Sequence, residues 1–147
     1  MFVVDTNVSV YAADVRAAKH ARCRELLERW RAGSAAWFLT WGICYEFLRV
    51  VTHHRVLCNP WTTREAHAFV DTIVESPGLE ILVQTERHRE VLSDVVRGVP
   101  VIAGNLWHDT ETAVLMREHG VRHICTHDTD FHRVAFLEPV DPMVAEP

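Results

Sequence analysis

Short apolar runs alternate with helix-length segments along this 147-residue chain, and no other feature restricts its fold as tightly. The runs are Phe2-Val3-Val4, Ala35 to Thr40, Leu79 to Val83 and His123 to Thr126, with Phe136 to Val140 as a short fifth. Between them the apolar residues recur at helical spacing. Residues 16 to 32 place Cys23, Leu26, Leu27 and Trp30 on one face and stop at Gly33. Trp41 to about Thr52 carries the stripe Ile43, Phe47, Val50 and Val51. A third helix, capped by Thr62 or Thr63, runs to about Glu75. Residues 86 to 97 turn Val91, Leu92, Val95 and Val96 inward, and Asn105 starts a last helix that Gly120 stops. Strands joined through helices run parallel, so the chain reads as α/β, a mainly parallel sheet of 4-5 strands covered on both faces. Ligands of such sheets bind beyond the carboxyl ends of the strands, and the residues just after each strand are the place to look.

The length suits a single domain, 1-140, with a frayed C-terminal tail over 141-147. With 48% apolar and 24% charged residues, disorder is excluded. No apolar run approaches the roughly 20 residues of a membrane span, and Asp5 interrupts the start where an export signal would lie. The cysteines Cys23, Cys44, Cys58 and Cys125 form no CxxC pair and read as reduced thiols of a cytoplasmic protein. A formal charge of -5 argues against a plain electrostatic nucleic-acid clamp. It leaves open an acidic cluster that binds a divalent cation and inverts its own local charge.

Such a cluster is visible. Asp5 follows the first strand and Asp128 the fourth, so parallel strands put both carboxylates at one sheet edge. Glu46 borders the buried stripe of its helix, and Asp109 lies in the first turns of another, on the side of Leu106 and Ala113. A carboxylate facing a core is costly unless it is paired, hydrogen-bonded or bound to metal. Each acid also has a structural use. Asp5 and Asp128 suit helix caps, Asp109 suits a helix N-terminus, and Glu46 can pair with Arg49. Together they offer the hard oxygen donors that Mg²⁺ takes, with Mn²⁺ as a substitute. A cation there can activate water for in-line phosphoryl displacement.

The strings Val3-Val4-Asp5-Thr6-Asn7, Tyr45-Glu46-Phe47-Leu48-Arg49-Val50, Gly104-Asn105-Leu106-Trp107-His108-Asp109 and Thr126-His127-Asp128-Thr129-Asp130-Phe131 resemble a PIN domain. The likeness is to the VapC toxins of prokaryotic VapBC modules, and it covers Phe2 to about Val140 in order. It implies an α/β/α sandwich and a Mg²⁺- or Mn²⁺-dependent endoribonuclease leaving 5′-phosphate and 3′-hydroxyl ends. It also implies a homodimer, and a cognate VapB-like antitoxin that blocks the site. Asp5, Glu46, Asp109 and Asp128 match the family's acidic quartet, as catalytic and metal-binding residues. Thr6, Asn7, Thr126 and Asp130 match supporting positions. One departure is Thr110-Glu111-Thr112 after Asp109, where the family often has Ala and few acids; Glu111 is a solvated residue or an extra outer acid. Discounting the four quartet charges leaves -1, so affinity for RNA must come from local arginines and metal. Arg49, Arg55 and Arg133 are candidates by proximity in sequence.

His53-His54 with Cys58, and His123, Cys125 and His127, invite a zinc reading, but neither set has the spacing of a zinc knuckle. The five tryptophans suit base stacking, core packing or dimer contacts. The helix faces around 23 to 30 and 61 to 74 are candidates for a dimer or antitoxin groove, where a partner helix would lie and reach an Arg into the acidic site. Two rival readings are carried. A haloacid-dehalogenase-like phosphohydrolase would need a second Asp two residues after Asp5, where Asn7 stands. A non-catalytic Mg-binding α/β module would bind the cation and cleave nothing.

Overall fold

The computed structural model describes residues 1–147. Its elements in chain order are β1 (Phe2–Val4), α1 (Thr6–Ala13), α2 (His20–Ala32), β2 (Trp37–Thr40), α3 (Trp41–Val51), α4 (Thr63–Val74), β3 (Leu79–Leu82), α5 (His88–Gly98), α6 (Leu106–Glu118), β4 (His123–Cys125) and β5 (Glu138–Val140). A short 3₁₀ helix covers Asp130–Arg133. The five strands form one sheet in the order β3-β2-β1-β4-β5, and every pairing is parallel. The helix expected over 16 to 32 begins at His20, behind the turn that follows α1.

Strand β1 is central. Val3 is in register with Phe38 of β2 on one side and Ile124 of β4 on the other. Phe2, Val3 and Val4 are all buried, and so are all residues of β2. Burial of consecutive residues means that both sheet faces are covered, which is why these strands are continuous apolar runs without alternation. Helices supply the cover: α1 packs on α2 and α3, and α5 packs on α6. In α6, Thr110 and Thr112 to Met116 are buried, so this helix runs through the interior. Phe47 of α3 stacks on Phe69 of α4 with ring centroids 4.8 Å apart.

Local capping agrees with the boundaries. Thr40 accepts from the Ile43 amide to start α3. Thr62 and Glu65 close a capping box on α4. Cys23, Cys44 and Cys125 are buried free thiols, and Cys58 is exposed. No helix is long and apolar enough to cross a membrane.

The stripes at 23 to 30 and 61 to 74 put Cys23, Leu26, Leu27, Ala66, Val70 and Ile73 into the chain's own core, and a groove between α1, α2 and the start of α4 remains, lined by Ala12, Ala13, Leu27, Trp61 and Phe69. The large aromatics left exposed are Trp41, Tyr45 and Trp107, on α3 and α6. The tail is not loose. Pro142 is fully buried, and the Glu146 carboxylate accepts from Arg22 at 3.0 Å and Arg29 at 2.7 Å on α2.

Strand order then decides where a ligand goes. From β1 the chain moves to β2 and β3 on one side, and later to β4 and β5 on the other. The crevice between β1 and β4, at their carboxyl ends, is the topological switch point.

Candidate metal and active site

Asp5 leaves the end of β1 into that crevice. It is 7% exposed, and it also caps α1 by accepting from the Thr6 amide at 2.7 Å. Its other oxygen accepts from the Thr126 hydroxyl at 2.7 Å and from the Asn7 amide group at 2.5 Å. Asn7 ties two loops together: its Nδ2 also donates to Thr126 at 2.9 Å, and its Oδ1 accepts from the His127 amide at 3.2 Å. The Thr6 hydroxyl donates to Glu46 at 2.9 Å, fixing the acid of α3 beside the β1 loop.

The remaining acids arrive from the other side. Asp109 stands in the first turn of α6, just before the buried stretch of that helix. Asp128 follows β4, with its amide donating to the Thr126 hydroxyl at 2.9 Å and its carboxylate accepting from the Asp130 amide at 2.8 Å. Ligand oxygens of Asp109, Asp128 and Asp130 lie within 4.8 Å of one another. Asp5, Thr6, Asn7, Glu46, Asp109, Asp128 and Asp130 thus line one open cleft of about 360 Å³. Thr126 is buried behind it.

The electrostatics follow from packing like charges together. Burial, opposed by hydrogen bonds from Thr126 and Thr6, raises the Asp5 carboxyl from 3.8 to about 6. Burial, and then repulsion from Asp5, Asp128, Glu46 and Asp130, raises Asp109 to about 7. Negative charge in this cleft is therefore poorly compensated by the protein alone. A divalent cation with a preference for oxygen donors answers that deficit, and the three-carboxylate cluster suits Mg²⁺ or Mn²⁺ by donor chemistry.

The single-residue structural uses are present alongside. Asp5 is a cap, and Glu46 pairs with Arg49 at 3.3 Å. Asp130 pairs with Arg133 at 2.9 Å. None of Arg49, Arg55 and Arg133 lines the cleft itself; Arg49 and Arg133 reach acids that do, and the Arg55 amide donates to His53 Nδ1 at 3.1 Å. Glu111 is exposed and lies against Gly42 of α3, outside the cleft lining. Neither histidine set gathers donors for zinc, since Asp109, Asp128 and Asp130 are the one group of three within ligand reach. His123 pairs with Glu138 and His127 with Asp141.

Two contributors escaped the sequence reading. Tyr11 lines the cleft one helical turn beyond Asn7 on α1, a position that i, i+4 spacing points to. Asp141 holds His127 at 2.9 Å, next to Asp128, and no local pattern signals that contact.

The chain resembles known proteins over nearly its whole length. The family model described as PIN domain matches residues 2–137. Ribonuclease VapC48 of Mycobacterium tuberculosis is 30% identical over 138 residues, 94% of either chain. Among solved structures, the sarcin-ricin-loop-cleaving toxin VapC20 of Mycobacterium tuberculosis superposes with a TM-score of 0.67 at 16% identity, over 93% of this chain and 97% of that one. VapBC2 from Rickettsia felis, bound to a DNA fragment from its promoter, gives 0.65 at 16% identity, over 95% and 96%. The parallel sheet and the match over nearly the whole chain carry the assignment: this chain belongs to the PIN-domain family, among the VapC ribonucleases.

Proposed function

We propose that this protein is the toxin of a toxin–antitoxin pair. It is a divalent-metal-dependent endoribonuclease that hydrolyses RNA phosphodiester bonds to 5′-phosphate and 3′-hydroxyl products. The observation that carries this reading is the convergence of Asp5, Glu46, Asp109, Asp128 and Asp130 on one cleft, with the Asp5 and Asp109 carboxyls raised to about 6 and 7. Kinship with VapC48, a named ribonuclease, supports the substrate class.

Asp109, Asp128 and Asp130 would hold Mg²⁺, with Mn²⁺ as a substitute, and Asp5 and Glu46 would complete the acidic wall. When bound, the ion supplies charge stabilisation on the phosphate and activation of water. The chain's own residues do the positioning. Thr126 and the Thr6 amide fix both oxygens of Asp5, so its carboxylate cannot rotate away. Thr6 holds Glu46 toward the cleft. Asn7 locks the loop after β1 to the loop after β4, which keeps Asp5 and Asp128 in one frame. Preorganisation of this kind removes reorganisation from the reaction step.

The same reading gives the toxin a VapB-like antitoxin, in line with the VapBC2 neighbour, and a homodimeric state in the prokaryotic cytoplasm. The test is induction without antitoxin, with mapping of new 5′-monophosphate RNA ends and Asp5→Asn as the paired control. A few sharp sites seen only with the native protein are expected. Identical end maps for the two folded, expressed proteins would sink the reading.

A further inference from the structure

We propose that Arg49 and Arg133 form a two-sided phosphate clamp that seats RNA across the acidic cleft. The inference rests on the ribonuclease reading and adds the residues that hold the substrate strand.

The placement follows from topology. Strands β2 and β4 flank β1 on opposite sides. Helix α3 leaves β2 and carries Arg49, while the 3₁₀ helix after β4 carries Arg133. The elements that carry the two arginines therefore leave strands on either side of β1, which ends at Asp5. Each arginine sits one turn beyond a cleft acid. Arg49 reaches Glu46 at 3.3 Å and Arg133 reaches Asp130 at 2.9 Å. The other arginine–carboxylate pairs join acids that do not line the cleft.

Fold stability does not account for these two pairs. The arginine side chains are 60% and 55% exposed, and exposed i,i+3 pairs contribute little. A polyanion approaching a cleft lined by five carboxylates meets repulsion, and the protein as a whole carries -5. Attraction for the strand must be local. A guanidinium offers phosphate a planar fork of donors, and an exposed one can swing from its carboxylate to a phosphate oxygen at small cost. Two such groups on opposite sides take phosphates flanking the one held over the acids. They read no base, so they supply grip and register and leave sequence choice elsewhere.

The test uses full-length protein in an Asp5→Asn background, which prevents cleavage during binding. A fluorescent single-stranded oligoribonucleotide is titrated across a salt series. Arg49→Gln and Arg133→Gln are compared with the parent, with Arg97→Gln as control, an exposed i,i+3 pair on α5 away from the cleft. Each clamp variant is expected to weaken binding several-fold and to reduce the salt slope by about 0.7, the value for one phosphate contact on a single strand. Arg49→Lys and Arg133→Lys should keep the slope, and Arg97→Gln should match the parent. Unchanged slopes in both glutamine variants, with a parent that binds RNA, would overturn the clamp and leave the ribonuclease reading intact. A parent and a native protein that neither bind nor cleave RNA would overturn both.

Discussion

The Thr126 hydroxyl donates to the Asp5 carboxylate at 2.7 Å across a sequence separation of 121. The same oxygen accepts from Asn7 Nδ2 and from the Asp128 amide, each at 2.9 Å. One buried hydroxyl thus sets the rotamer of Asp5, the loop of Asp128 and the side chain of Asn7. Thr126→Val keeps the shape and removes every one of these bonds. It is expected to cost about 1–3 kcal/mol, the range for stranding buried polar groups. Apparent Mg²⁺ affinity should fall roughly 10–100-fold, as for other loss of groups that orient metal ligands. Urea melts and metal titration of the same preparation check both.

Asp5→Asn should abolish cleavage and yet stabilise the metal-free fold. Holding Asp5 ionised at pH 7.5 works against a carboxyl raised from 3.8 to about 6. At about 1.4 kcal/mol per unit, the burial penalty is on the order of 2–3 kcal/mol. Asparagine can still accept from the Thr6 amide, so the helix cap survives. Urea denaturation in EDTA should show the variant more stable than the native protein. A less stable variant would mean that the bonds lost from Thr126 and Asn7 outweigh the relieved burial penalty.

The pH dependence has a definite sign. Asp5 and Asp109 are raised above 3.8, to about 6 and 7, so between about pH 4 and pH 7 the folded chain keeps protons that the unfolded chain has lost. Their contribution to metal-free stability therefore falls as pH rises through that window and levels off above it. Mg²⁺ requires the deprotonated forms, so its stabilising effect should grow over the same range. Thermal melts at pH 5 and 7.5, with EDTA or Mg²⁺, check this. The metal-induced shift in Tm should be larger at pH 7.5, and Asp5→Asn together with Asp109→Asn should erase the difference.

Deletion of residues 141–147 should lower both stability and activity. It exposes the surface under Pro142 and removes Asp141 from His127, the residue before Asp128. A loss of about 1–3 kcal/mol is expected, the usual range for loss of buried packing. Glu146→Gln should cost much less, because its pairs with Arg22 and Arg29 are exposed. Equal melting curves for the truncated and full chains would show that the tail does not brace the loop.

Much of the site was legible because its signals are local. An acid directly after an apolar strand, as at Asp5 and Asp128, lands at a sheet edge once the strands are parallel. An acid at the border of an apolar helical stripe, as at Glu46, is held half in the core. The Tyr11 position was within reach of the same helical spacing and went unread. The partner faces were legible only in part. Spacing identifies the apolar side of α2 and α4, and it cannot tell how much of that side meets the chain's own core. The structure buries Leu26, Val70 and Ile73 and leaves a groove lined by Leu27, Trp61 and Phe69.

The chain's local chemistry alone determined the element order, a cap at Thr62 or Thr63, the parallel α/β class and the acids at strand ends. Those depend on neighbours within a few residues, through backbone sterics, capping bonds and apolar periodicity. Only the tertiary structure decided that β1 lies between β2 and β4, so that Glu46 and Asp130, the partners of Arg49 and Arg133, line the same cleft as Asp5. It alone brought Asp130 within ligand reach of Asp109 and bound Asp141 to His127. Contacts of this kind are set by which strands pair and how layers pack, a choice made by burial across the whole chain and not by any one segment.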